Sequence, residues 1–227
     1  MTNTVYVKTY DAPHVDMGEI MRYAGVRGDA PELSEMIRVC LDEVKTQLIY
    51  KVCYLEIPVV HRGDLLDLGF FQTASEALKK NLAGCERAVV FAATVGIGLD
   101  RLIARYSTLS PTKALLFQAI GAERIESLCD TFNRELNERL AAEGYGTRPR
   151  FSPGYGDLPL GVQKEFFSVL DCPRKIGLTL NESMLMSPSK SVTALIGITN
   201  GTGCREEASK CGACENTDCG FRRNTEV

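Results

Sequence analysis

Histidine is nearly missing from this chain: His14 and His61 are the only two among 227 residues. An imidazole without ligand-spaced neighbours makes neither a metal centre nor an acid-base dyad, so both read as structural. A concentrated cationic face is missing as well. The formal net charge is -3, the pI is near 5.6 and no basic block interrupts the sequence. That excludes nucleic acid as the main partner, because phosphate binding needs clustered Lys and Arg. No stretch approaches the roughly 18 apolar residues of a membrane span. The opening residues 1–8 lack the charged stretch and apolar core of a secretion signal. The expectation is a cytoplasmic protein that meets neither nucleic acid nor membrane.

With 44% hydrophobic residues, a chain of this length can bury a sizeable core as one domain plus a small appendage. Its nine cysteines divide into two groups. Cys40, Cys53, Cys85, Cys129 and Cys172 sit in apolar contexts and read as small buried hydrophobes. Cys204, Cys211, Cys214 and Cys219 crowd the C-terminus in a segment with little apolar content. The predicted boundary therefore falls between a domain over residues 1–200 and a cysteine-rich tail over 201–227.

Periodicity predicts the elements. Residues 5–10 alternate as a strand, and 18–24 form a short helix that Gly25 can end. A stronger helix follows, with Asp29 available as cap, Pro31 in the first turn and Leu33, Met36, Ile37, Cys40, Leu41, Val44 and Leu48 on one face. Residues 52–60 read as a strand and 75–82 as a short helix stopped by Gly84. Residues 87–94 form a continuous apolar run, a buried strand, that ends in the turn Val95-Gly96-Ile97-Gly98. As a phosphate loop that turn is weak, since it lacks a third glycine and any Gly-Lys-Ser/Thr. A long helix spans 111–142, another 162–170, and strands lie near 178–180 and 191–198. Helices and strands do not alternate regularly, so the fold class is α+β, a largely antiparallel twisted sheet flanked by helices.

The chemistry concentrates in Arg150-Phe151-Ser152-Pro153-Gly154-Tyr155-Gly156. A fixed planar cation precedes a turn stiffened by proline and left open beside the backbone by two glycines, the makings of a small-molecule clamp. A second segment runs from Glu182 and Ser183 through Met186 and Pro188 to Ser191 and Val192. On the long helix Glu123, Glu126 and Asp130 lie one or two turns apart, either a solvated acidic stripe or a ligand-facing one.

The first segment resembles the Arg-x-x-x-Gly-Tyr signature of the activation domain of cobalamin-dependent methionine synthase, and the second follows at the distance that family requires. Residues 22–25, Arg22-Tyr23-Ala24-Gly25, are similar to short stand-alone members. The resemblance implies that Arg150, Ser152, Gly154, Tyr155 and Glu126 contact S-adenosylmethionine. It further implies that Tyr155, Glu182, Ser183 and Met186 face the corrin. Where the family has a proline after Gly-Tyr this chain has Gly156, and Ser187 replaces an aromatic. The implied reaction is reductive methylation: one electron takes cob(II)alamin to cob(I)alamin, which accepts the sulfonium methyl and leaves S-adenosylhomocysteine. With no recognisable cobalamin, homocysteine or folate module, the chain is expected to serve as a methyltransferase-type activation component. It would act on a separate cobalamin-binding methyltransferase or methionine synthase core, with a reductant such as flavodoxin or ferredoxin. No catalytic acid or base is needed, because the protein's task is orientation.

The tail spacing Cys204-x6-Cys211-x2-Cys214-x4-Cys219 suits an iron-sulfur cluster or zinc, with reduced thiols or a reversible disulfide as the third reading. The implied redox step favours iron-sulfur. Two other functions stay open: an electron-transfer activator of corrinoid proteins that works through the tail, and a non-catalytic S-adenosylmethionine or corrinoid-binding module.

Overall fold

The computed structural model describes residues 4–26, 28 and 30–201. The chain runs β1 (Tyr6–Tyr10), α1 (Met17–Tyr23), α2 (Pro31–Val44), β2 (Tyr50–Pro58), β3 (Val60–Arg62), β4 (Leu65–Asp67), β5 (Gln72–Thr73), α3 (Glu76–Asn81) and β6 (Cys85–Thr94). It continues through α4 (Gly98–Leu109), α5 (Pro111–Ala142), β7 (Tyr145–Thr147), α6 (Gln163–Leu170), α7 (Cys172–Ile176), β8 (Thr179–Leu180), β9 (Met186–Ser187) and β10 (Ser191–Asn200). The main sheet has five strands in the order β1-β2-β6-β10-β7, every neighbouring pair antiparallel. The α+β class read from the sequence is the observed one, and α5 covers the predicted span 111–142. Asp29, expected to cap α2, lies outside the described residues, and so do the four tail cysteines.

Both faces of the sheet are covered, which is why β6 reads as an unbroken apolar run instead of an alternating one. Side chains two residues apart share a face. Val89, Phe91 and Ala93 join Val52, Ala194 and Ile196 under α1, α2, α4 and α5. Ala88, Val90 and Ala92 join Cys53, Leu55 and Leu195 beneath α3, α6, α7 and the small β3-β4-β5 sheet. The five cysteines of the domain are buried and free of disulfides, as hydrophobes of their size should be.

The turn after β6 owes its second glycine to packing. A Cβ on Gly98 would stand 2.3 Å from the backbone oxygen of Gln47, so α4 can begin there only without a side chain. That close approach accounts for the residue without any phosphate.

On α5, Glu123 and Arg124 are each 2% exposed at the side chain and paired at 2.5 Å. Arg124 also donates to the carbonyl oxygens of Pro13 and His14, and Glu123 accepts from Ser127 Oγ at 2.7 Å and from the Asp16 amide at 3.0 Å. The stripe of helix carboxylates thus has one fully buried member that ties the segment before α1 to the long helix.

Candidate functional site

The outer edge of β10 builds the site. Phe151 exchanges both backbone hydrogen bonds with Leu195, at 2.9 and 2.8 Å, and the Arg148 amide donates to Gly197 O at 2.8 Å. Alternation along the extended chain then sends neighbours to opposite faces. Phe151 packs into the core beneath α6, and Arg150 reaches the other way to α5. By the same alternation Thr193 turns its N–H and C=O to this edge, where no strand pairs with it among the described residues.

Arg150 is the centre of charge. Its Nη2 lies 3.0 Å from Glu126 Oε2 and 2.9 Å from Asp130 Oδ1, and its Nη1 is buried with no hydrogen-bond partner. Glu126 and Asp130 are one helical turn apart, so one guanidinium meets both. Burial works against the cation, but the Cys129 sulfur, charged at the high pH where a guanidinium titrates, outweighs it together with Glu126 and Asp130, and they hold its pKa above the ordinary value. Arg150 therefore stays protonated at any working pH. Burial pushes the Cys129 thiol up to about 12 despite the nearby guanidinium, which makes it an uncharged floor.

Tyr23, at the end of α1, lies within electrostatic reach of Glu126. Burial first, then the charge of Glu126, hold its hydroxyl above the usual range, with Arg22 opposing. The Arg22 guanidinium lies 4.2 Å from the Tyr23 ring and pairs with Glu19 at 2.6 Å.

The Gly-Tyr-Gly turn is fastened to α3. Asp157 accepts from Ser75 Oγ, from the Glu76 amide at 2.8 Å and from the Ala77 amide at 3.2 Å. These are the free amides of a helix start, where a carboxylate fits best. Asn81, at the other end of α3, donates to Pro149 O at 3.2 Å. Gly154 and Gly156 both have positive φ, at 88° and 54°. Ser152 O accepts from the Tyr155 amide at 3.1 Å, and Tyr155 is 58% exposed with its ring 6.4 Å from that of Phe151.

The second motif forms a β8-β9 hairpin. Glu182 and Ser183 are exposed in its turn, held by Asn181, which accepts from the Leu185 amide at 2.9 Å. Met186 is half-buried and packs on the same core as Phe151. Among the described residues no hydrogen bond or ion pair joins Glu182 or Ser183 to the Arg150 group.

Arg150 and Glu126, chosen from the sequence, are therefore brought together, while Asp130, Tyr23, Cys129 and Asp157 are site neighbours that sequence reasoning did not assign. Asp130 carried a signal in its four-residue spacing from Glu126; Asp157 carried none beyond following the clamp. Cys204, Cys211, Cys214 and Cys219 lie outside the described residues, among which no cluster of three or more His, Cys, Asp or Glu could hold a metal. Among the described residues no helix is long and apolar enough to cross a membrane.

A family model described as the activation domain of vitamin B12 dependent methionine synthase matches residues 77–202, more than half of the chain. No curated protein matches. Among solved structures, the crystal structure of the MetH reactivation domain bound to AdoHcy superposes with a TM-score of 0.61 at 16% identity. The match covers 86% of this chain and 78% of that one.

Proposed function

The chain belongs to the family of activation domains of vitamin B12 dependent methionine synthase, and on that premise we propose that it binds S-adenosylmethionine at the Arg150 site and reactivates a corrinoid methyltransferase in trans. The observation that carries this reading is the Arg150–Glu126 pair at 3.0 Å beside a Gly-Tyr-Gly turn fastened to α3 through Asp157. S-adenosylmethionine offers a carboxylate for the planar cation, an ammonium for the carboxylate and polar atoms for an open strand edge. Two loop fastenings, to β10 and to α3, support pre-organisation, which lowers the entropy lost on binding. The solved MetH structure holds AdoHcy, the demethylated product of such a transfer.

In this reading one electron reduces the partner's cob(II)alamin and the sulfonium methyl passes to cobalt, with S-adenosylhomocysteine released. The chain's residues contribute alignment. Arg150 and Glu126 hold the amino-acid end, and exposed Tyr155, together with Glu182, Ser183 and Met186 of the hairpin, faces the corrin. The domain over residues 1–200 would do this work, and the cysteines over 201–227 would hold an iron-sulfur cluster that relays the electron from a flavodoxin or ferredoxin. Anaerobic absorption spectra check the relay, because a cluster absorbs visible light and zinc does not.

Calorimetric titration of S-adenosylmethionine into wild type and Arg150→Ala tests the clamp. A charged hydrogen bond contributes about 1.5–3 kcal/mol, so the variant should bind roughly 10- to 100-fold more weakly. Equal affinities would overturn the assignment. Incubation with a reductant and a separate corrinoid protein should yield S-adenosylhomocysteine, and binding without that product would make the chain a binding module only.

A further inference from the structure

Among the described residues, three charged side chains meet at the site, and they do not cancel. Arg150 supplies one positive charge, and Glu126 and Asp130 supply two negative ones through the same Nη2 atom, at 3.0 and 2.9 Å. The flanking Arg22–Glu19 pair is neutral as a unit. Arg134, four residues beyond Asp130, sits 3.5 Å from Thr131 Oγ1 and forms no salt bridge with Asp130. A single carboxylate would suffice to orient Arg150. The second gives the described residues of the site an excess of one negative charge.

We propose that Asp130 is a specificity residue that makes this site prefer a cationic sulfonium ligand over its neutral thioether product. The inference rests on the reading of the Arg150 site as the S-adenosylmethionine site. S-adenosylmethionine carries a carboxylate, an ammonium and a sulfonium, a net charge of +1, and S-adenosylhomocysteine has lost the sulfonium charge. The first neutralises the site; the second leaves it at -1. Loss of the methyl group thus weakens the ligand's hold at the moment transfer is complete, and product leaves in favour of fresh donor. In the proposed reading Glu126 takes the ammonium common to both ligands, so the discriminating charge falls to Asp130.

The effect is moderate because Asp130 is 58% exposed at its side chain. A unit charge acting through a wet, half-open site shifts the ratio of the two affinities by roughly threefold, and salt screens it over a Debye length of about 8 Å at physiological strength.

Calorimetry with S-adenosylmethionine and S-adenosylhomocysteine on wild type, Asp130→Asn and Asp130→Glu tests this. The two ligands share every group except the methyl and its charge, so any general change in Arg150 or the loop cancels in their affinity ratio. The preference for S-adenosylmethionine should fall about threefold in Asp130→Asn, persist in Asp130→Glu, and shrink in wild type as salt rises from about 0.05 to about 0.5 M. If both ligands change by one common factor, Asp130 merely positions Arg150, and if neither changes it acts on neither ligand; either result overturns the proposal with the site intact. If wild type binds neither ligand, the reading of the site falls and this inference with it.

Discussion

Replacing Gly156 with alanine should cost far more than an ordinary glycine-to-alanine change, because two penalties coincide there. The first is backbone. Gly156 has φ +54°, and a Cβ in the left-handed region costs about 1–2 kcal/mol. The second is contact: that Cβ would stand 2.7 Å from the Ala77 Cβ in the first turn of α3, a side chain with no rotamer to give. Overpacking of this kind adds about 1–3 kcal/mol. The only relief is for the turn to back away from α3, which stretches the Asp157 bonds to Ser75, Glu76 and Ala77. Gly177 is the control, since it has φ +70° with nothing within 4 Å of the added atom. Urea denaturation should give a loss of about 3 kcal/mol for Gly156→Ala and about 1 kcal/mol for Gly177→Ala. A double-mutant cycle isolates the contact: in an Ala77→Gly background the Gly156→Ala penalty should drop by about 1–2 kcal/mol. Equal losses at both glycines, or no coupling to Ala77, would refute the claim that the clamp is seated on α3 by shape.

The Asp157 latch predicts a pH dependence. Its carboxyl is held below the ordinary range by the Ser75 hydroxyl first, then by the Glu76 and Ala77 amides. A lowered folded-state pKa gives stability that is present above the unfolded value of about 3.9 and lost as pH falls through the folded one. The gap in melting temperature between wild type and Asp157→Asn should therefore narrow between about pH 5 and pH 2.5, and a gap independent of pH would count against the latch. At the buried pair, Glu123→Ala leaves Arg124 charged at 1% exposure, with burial against it and its main counter-charge gone. Removing one partner of such a pair costs about 3–5 kcal/mol, and a urea-measured loss below about 1 kcal/mol would show that the Pro13 and His14 carbonyls satisfy the guanidinium alone.

What the order of residues settles here is local. The β6 run, the long α5 with Pro111 at its start, and the glycines that end α1 and α3 were legible because period and punctuation act over a few neighbours. The Arg150 clamp was legible for the same reason, as a fixed cation and two glycines within seven residues. The short strands β3, β4 and β5 were not, since two or three residues carry too little pattern to register.

Helical spacing alone put Glu126 and Asp130 on one face of α5, but it could not say what that face meets. Arg150 follows Glu126 by 24 residues and Asp130 by 20, and their meeting depends on where the sheet edge holds the clamp. Asp157 lies 82 residues from Ser75, a contact no local rule encodes. The sequence by itself determined which charged and polar groups the candidate site offers, through residue chemistry. Only the tertiary structure decided the charge of the site, because that charge is a sum over side chains which two covered sheet faces and one strand edge bring to the same place.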